Sequence, residues 1–375
     1  MSATIRSALT VVSLSLGLLW LSGCKRETPQ PPAPAEPPAA AAPATTQPPA
    51  TKDVSDAERE TTGEDKADVR KEEPVKEAAA EPGKAGGPQP THVFTIGMSQ
   101  CNLGEPWRQQ MNADVRDAAA RHENLKVVFK DAQNDTLKQR AHLEEYVSAG
   151  VNLIIVSPKE AAPLTEPIGR AIDAGIPVIV LDRRILGDKY TCFIGADNKL
   201  IGREAGKWIA RKLGGKGKVV ELKGLMTSTP GQDRHSGFRE GIAGSEIEII
   251  FEADMKWLEP DARKEMESAL ARFDKIDLVY AHNDPGAHGA YLAAEATGRA
   301  DTIMFVGIDA LPHEGVMYVK QGVLDATFQY PTGGREAIDV ALKVLAGEQV
   351  PKEITLGSRL FTKENVDSGG VAIGG

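Results

Sequence analysis

An acid and a base stand side by side at Asp182-Arg183, directly after the apolar run Gly175-Ile-Pro-Val-Ile-Val-Leu181. The run is apolar on both faces and is entered through a glycine, the pattern of an inner strand in a parallel sheet covered by helices on both sides. In open α/β sheets ligands bind outside the carboxyl ends of the strands, which is where this pair would lie. Aspartate offers acceptors and arginine a rigid fork of donors, a combination suited to hydroxyl groups. The same two residues can also close a loop as a local salt bridge.

Other expected strand ends carry residues of the same kind. Asn102-Leu-Gly-Glu-Pro-Trp107-Arg108 follows the first strand, and Arg234 opens a helix after Met226-Thr-Ser-Thr-Pro-Gly231. Ala281-His282-Asn283-Asp284, Gly307-Ile-Asp309 and Gln329-Tyr330-Pro331 come later, with one residue of register open between Gln329 and Tyr330. Planar Asn, Asp, Gln and Arg side chains form paired hydrogen bonds with vicinal hydroxyls, and an indole face covers the C–H patch of a sugar. The set points to a neutral polyol. Each residue also has a structural use: Asn283 or Asp284 as a helix N-cap, Asp309 as a cap near Pro312, Arg234 as a partner of Glu240, and Trp107 as core.

The elements needed to position these residues alternate regularly. Expected strands at 93–99, 125–130, 151–156 and 175–181 alternate with helices at 105–122, 136–149 and 163–174, a β-α-β series. Ala149-Gly150 and Ala174-Gly175 repeat the glycine stop that ends many helices. A second set runs from a strand at 190–195 through helices at 200–213, 231–242, 260–273, 285–297, 312–321 and 333–346, with strands between them and a last extended segment at 354–361. Right-handed β-α-β units give doubly wound parallel sheets, so two sets predict an α/β protein of two similar lobes with a cleft between their strand ends.

The remainder of the chain is of a different kind. Residues 25–92 hold 13 of the 24 prolines and no Phe, Trp or Tyr, too little apolar surface to offset chain entropy. This stretch reads as a disordered linker. Before it, Arg6 and the apolar run from Ala8 to Leu21 have the length of a signal segment, ending in Leu21-Ser-Gly-Cys24. That ending resembles the lipobox of bacterial lipoproteins, which implies cleavage after residue 23, lipidation of Cys24 and membrane attachment through the lipid. The net charge of −9 has no basic concentration against it, which argues against a nucleic-acid partner.

Several chemistries lack their residues. His282 and His288 do not have zinc-helix spacing, and no metal site is expected. Gly214-Gly-Lys-Gly-Lys218 lacks phosphate-loop spacing and precedes a strand. There is no hydrolase G-x-S-x-G elbow and no calcium loop. Neither a cofactor nor an enzymatic activity is expected. Cys101 and Cys192 fit either one disulfide or two buried thiols.

Five motifs taken together carry a family likeness: Leu181-Asp-Arg183, Val219-Val-Glu-Leu222, Asp233-Arg-His-Ser-Gly-Phe238, Tyr280-Ala-His-Asn-Asp284 and Val306-Gly-Ile-Asp309. Residues 91–365 resemble the type I periplasmic sugar-binding proteins of ABC transporters, in particular their ribose- and galactofuranose-binding branch. The resemblance implies a ring-stacking Trp107 and hydroxyl contacts from Asn102, Arg108, Asp182 and Arg183 on one lobe. It implies further contacts from Arg234, Asn283 and Asp309 on the other, and from Gln329 at the hinge. Trp107-Arg108 replaces the paired aromatics of ribose-type members, which leaves room for another furanose or a hexose. The expected organisation is a signal peptide (1–23), a linker (24–92), one lobe from 93–196 plus 330–355 and another from 197–329 plus 356–367. The resemblance implies a monosaccharide ligand and, as partners of an expected monomer, the transmembrane subunits of an ABC permease; the alternative is a receptor that reports the sugar to a sensor kinase or chemoreceptor.

Overall fold

The computed structural model describes residues 92–374. The expected signal segment, Cys24 and the linker up to residue 91 lie outside the described residues. Strand β1 (Phe94–Gln100), helix α1 (Pro106–Ala119), β2 (Leu125–Asp131), α2 (Thr136–Ser148), β3 (Leu153–Ser157), α3 (Ala161–Asp173), β4 (Val178–Leu181) and β5 (Cys192–Ala196) open the fold. Next come α4 (Asn198–Lys212), β6 (Lys216–Lys223), α5 (Thr229–Gly241), β7 (Glu246–Asp254), α6 (Glu259–Arg272), β8 (Leu278–Ala281), α7 (Asp284–Ala296), β9 (Met304–Asp309), α8 (Gly315–Gln321) and β10 (Ala326–Gln329). The chain closes with α9 (Gly334–Leu345), β11 (Glu353–Leu356), β12 (Arg359–Thr362) and β13 (Val371–Ala372).

Two sheets result, ordered β2-β1-β3-β4-β5-β11 and β7-β6-β8-β9-β10-β12-β13. Their first five strands follow one topology, all parallel. In each, strand order reverses beside the first strand, at β1/β3 and β6/β8. Such reversals open a crevice at the carboxyl strand ends. Strands β3 and β4 are buried at every position, as their unbroken aliphatic runs require. β7 instead alternates Glu246, Glu248 and Glu252 outward, and it is a sheet edge.

The chain passes between the sheets three times: after β5, after β10 and after β11. The expected single extended segment at 354–361 is therefore two strands. β11 pairs parallel with β5 of the first sheet, and β12 pairs antiparallel with β10 of the second. The expected helix from Pro312 begins only at Gly315, because Asp309 and Ala310 take positive φ and turn the chain first.

Helices α4 and α5 set the position of Arg234. Gly202 and Gly206 on α4 face Gly237 and Gly241 on α5, and a Cβ at any of the four would strike backbone of the opposite helix. Small residues four apart let two helix backbones touch, and nothing larger fits. Gly237→Val is expected to destabilise the fold by about 3 kcal/mol through overpacking, read by chemical denaturation. A loss below about 1 kcal/mol would contradict this packing account.

Candidate functional site

The loop after β1 is built as a bracket. Asn102 Oδ1 accepts from the Gly104 N–H at 2.9 Å, and its Nδ2 donates to Glu105 Oε1 at 2.8 Å. Pro106 then starts α1 at the position where its missing N–H costs nothing. Trp107 follows, its Nε1 donating to the Tyr330 carbonyl at 2.7 Å and its ring 5.3 Å from that of Tyr330. One turn of chain thus ties α1 to the crossing after β10.

Arg108 is buried and fully engaged. It donates to Glu105 Oε1 at 3.3 Å, Gln100 Oε1 at 3.1 Å, Ser157 Oγ at 2.9 Å and Asp182 Oδ2 at 2.9 Å. Asp182 Oδ2 also accepts from Ser157 Oγ at 3.1 Å, and Arg183 Nε lies 3.6 Å from it. Arg183 donates through Nη1 to the Lys159 carbonyl at 3.0 Å, while its Nε has no hydrogen-bond partner. The Asp182-Arg183 pair is thus both part of an ion-pair network and a source of an unmatched donor.

The second sheet supplies the facing wall. Arg234, near the start of α5, donates to Asn198 Oδ1 at 2.8 Å and to the His282 carbonyl, and lies 3.8 Å from Asp309 Oδ1. It does not meet Glu240, which pairs with Lys199. Its guanidinium sits 5.3 Å from the Trp257 ring centre and 4.8 Å from that of Tyr330. Asn283 caps α7 through Oδ1, accepting from Gly286 N–H, and donates Nδ2 to the Trp257 carbonyl at 3.0 Å. Asp309 caps nothing at α8. Burial pushes its carboxyl well above the usual range, with Arg234 opposing the shift.

These side chains line one small polar cavity between the strand ends of the two sheets. Glu105, Trp107, Arg108, Asp182 and Arg183 line it from the first lobe, Pro230, Arg234, Trp257, Asn283 and Asp309 from the second, and Tyr330 from the crossing between them. Seven of the expected residues are brought together. Two are not. Asn102 stands behind the wall as the bracket of Glu105, and Gln329 lines an open groove alongside. Side chains alternate along an extended chain, so with Tyr330 on the cavity Gln329 faces away. Tyr330 is held there by its OH, which donates to the Asp182 carbonyl at 3.1 Å.

Trp257, Glu105 and Pro230 were not expected. Trp257 follows β7, a strand end that the residue-type reading passed over. Its ring lies on the Gly224 backbone, where any Cβ would strike it. Asp182 (φ 70°), Trp257 (φ 72°) and Asp309 (φ 134°) all take positive φ, as non-glycine residues. Such conformations cost about 1–3 kcal/mol each and collect at ligand sites. Trp257 Nε1, like Arg183 Nε, is a buried donor without a partner. An unmatched buried donor costs about 1–3 kcal/mol unless a ligand oxygen takes it.

Other candidate groups resolve differently. Cys101 and Cys192 are free and buried, and burial raises both thiols. Among the described residues Glu221, His235 and Glu252 lie close enough to share a metal, but Arg239 already bridges both carboxylates.

Two lobes of one topology, closed over a small polar cavity at their strand ends, define a bilobal binding protein. Residues 96–349 match the family of periplasmic binding protein domains, and the chain belongs to that family. It is 29% identical to the ribose import binding protein of Bacillus subtilis over 76% of this chain and 92% of that one. It is 30% identical to the galactofuranose-binding protein of Escherichia coli over 70% of this chain and 86% of the relative. A solved fructose-binding periplasmic domain of a hybrid two-component system superposes with a TM-score of 0.71 at 44% identity, covering 73% of this chain and 92% of its own.

Behind the cavity two more acids are buried. Burial pushes Glu314 up to about 8, with the charges of Asp284, Glu259 and Glu105 adding to the shift. Burial also raises Asp284 to about 6, opposed by its hydrogen bonds to Thr327 and Ala310 and by Arg234. Both values stand above those of the unfolded chain, so the folded state binds these protons more tightly and stability falls as pH rises toward about 8. The melting temperature is expected to fall between pH 6 and pH 8, and Glu314→Gln should flatten that slope. Equal slopes in parent and variant would contradict the assignment.

Proposed function

We propose that this protein is an extracytoplasmic receptor that closes its two lobes on one neutral monosaccharide. The observation that carries this is the pair of unmatched buried donors, Arg183 Nε on one lobe and Trp257 Nε1 on the other, at one cavity. Arginines and carboxylates alternate around them, so a hydroxyl can accept from one and donate to the next. An anionic sugar would instead meet Glu105, Asp182 and Asp309. Micromolar affinity needs about 8 kcal/mol, within reach of several charge-assisted hydrogen bonds at roughly 1.5–3 kcal/mol each after closure costs.

The relatives are named for ribose, galactofuranose and fructose, which supports a pentose or hexose, the furanose ring form included. The contact set is Trp107, Arg108, Asp182, Arg183, Arg234, Asn283 and Asp309, joined by Trp257 and Tyr330. The lobes are 93–196 plus 330–355 and 197–329 plus 356–367, rotating about the three crossings. Cys24 carries a lipid, residues 24–92 tether the receptor to the membrane, and a monomer hands its sugar to an ABC permease. The relatives' character as binding proteins supports a role in holding the sugar and not in converting it.

A second reading keeps the pocket and changes the partner. The 44% identical domain belongs to a two-component system, which favours a sensing role. Genes for a permease and ATPase, or for a kinase, beside this one separate the two readings.

A thermal-shift panel of D-ribose, D-fructose, D-galactose and D-glucuronate tests the ligand class, with a rise expected for at least one neutral sugar and none for the acid. Calorimetry with that sugar should then show at least a tenfold loss for Arg183→Ala and a five- to tenfold loss for Trp257→Phe, which keeps an aromatic face and removes the N–H with the pyrrole half of the indole. Affinities within twofold of the parent for both variants would remove these residues from the site.

A further inference from the structure

Asp309 faces the cavity without anything to aim it. Its carboxylate makes no hydrogen bond to the described residues, and its nearest cation, Arg234, is 3.8 Å away. Its direction therefore comes from its backbone, which is itself strained: Asp309 at φ 134° and Ala310 at φ 53° are consecutive non-glycine residues with positive φ. A turn of that kind persists only where its surroundings over-determine it.

The surroundings converge on one group. Asp284 is completely buried, with Oδ2 accepting from the Ala310 N–H at 2.7 Å and Oδ1 accepting from Thr327 Oγ1 at 2.7 Å. A Cβ at Gly307 or Gly315 would strike the same carboxylate. β9, β10 and the start of α8 thus close on one side chain from three directions. Helix capping does not account for it, since Asn283 already caps α7 and Asp284 turns away to the Ala310 N–H. The start of α7 does make a site for its negative charge.

We propose that Asp284 is a positioning residue that clamps the Asp309–Ala310 turn and so aims Asp309 at the ligand. This rests on the reading of Asp309 as a ligand contact. The clamp is a matter of hydrogen-bond geometry and not of charge: an asparagine at 284 can accept from Ala310 N–H through its oxygen and donate to Thr327 Oγ1. Alanine does neither. A glycine at 310 relieves the strain that the clamp opposes.

Calorimetry with whichever of D-ribose, D-fructose and D-galactose binds the parent most tightly tests this on the full chain. Asp309→Asn and Asp284→Ala should each lose at least tenfold in affinity, and Asp284→Asn should stay within threefold of the parent. Adding Ala310→Gly to Asp284→Ala should recover at least threefold, which a merely structural defect would not allow. If Asp309→Asn binds like the parent, or no sugar binds, the site reading fails. If Asp309→Asn loses affinity while Asp284→Ala does not, or Asp284→Asn is as weak as Asp284→Ala, the clamp alone is overturned. Should Asp284→Ala not fold, Thr327→Val strips one of the two hydrogen bonds at constant shape. A threefold loss is then expected, and unchanged affinity would overturn the clamp.

Discussion

Arg108 and Asp182 meet at 2.9 Å with both side chains withdrawn from water, and much of the first lobe is arranged around that contact. Burying two charges is expensive, and their attraction offsets the cost only when the remaining hydrogen-bonding capacity is also met. Here Gln100, Ser157 and Glu105 meet it for Arg108, and Ser157 supports Asp182 again. Gln100, Ser157 and Asp182, which accept from Arg108, stand at the ends of β1, β3 and β4, adjacent strands of one sheet, so the network fixes three strand ends to each other. With Arg108 as the hydrogen-bonded partner of Asp182, Arg183 keeps its Nε unmatched and lies with its guanidinium 5.5 Å from the Trp257 ring centre.

The second lobe solves a different problem. Its arginine, Arg234, must reach across to Asp309 and the cavity, and its reach is set by how closely α5 lies on α4. The four glycines at 202, 206, 237 and 241 bring the helices to backbone contact, and Asn198 at the start of α4 then holds the guanidinium from behind. Trp257 is fixed just as firmly, between the Gly224 backbone and the Asn283 side chain. The side chains at the cavity are thus held by contacts within the protein itself, so the proposed binding needs little further side-chain ordering.

Much of this was legible in the residues. Unbroken aliphatic runs at β3 and β4, followed by polar residues, marked strand ends, and strand ends in doubly wound sheets mark ligand sites. Seven of the residues at the cavity were reached that way because each lies at the end of its strand or within the first two turns of the helix that follows. Trp257 was missed because it lies three residues beyond β7, an edge strand whose alternating glutamates draw the eye to its solvent face. Asn102 and Gln329 have the right chemistry and the right neighbourhood, and only side-chain direction excludes them. Direction depends on local φ and on tertiary hydrogen bonds such as that of Tyr330 to Asp182, which residue types do not encode. The glycines of α4 and α5 have a helical spacing visible in the sequence, but their partner helix is a tertiary fact.

The most direct test of a two-lobed clamp on a neutral sugar is a crystal structure grown with the sugar that binds most tightly. The account predicts one monosaccharide in the cavity, with ligand oxygens within hydrogen-bond distance of both Arg183 Nε and Trp257 Nε1. A sugar found elsewhere on the molecule, or one in the cavity that leaves both donors unmatched, would contradict it.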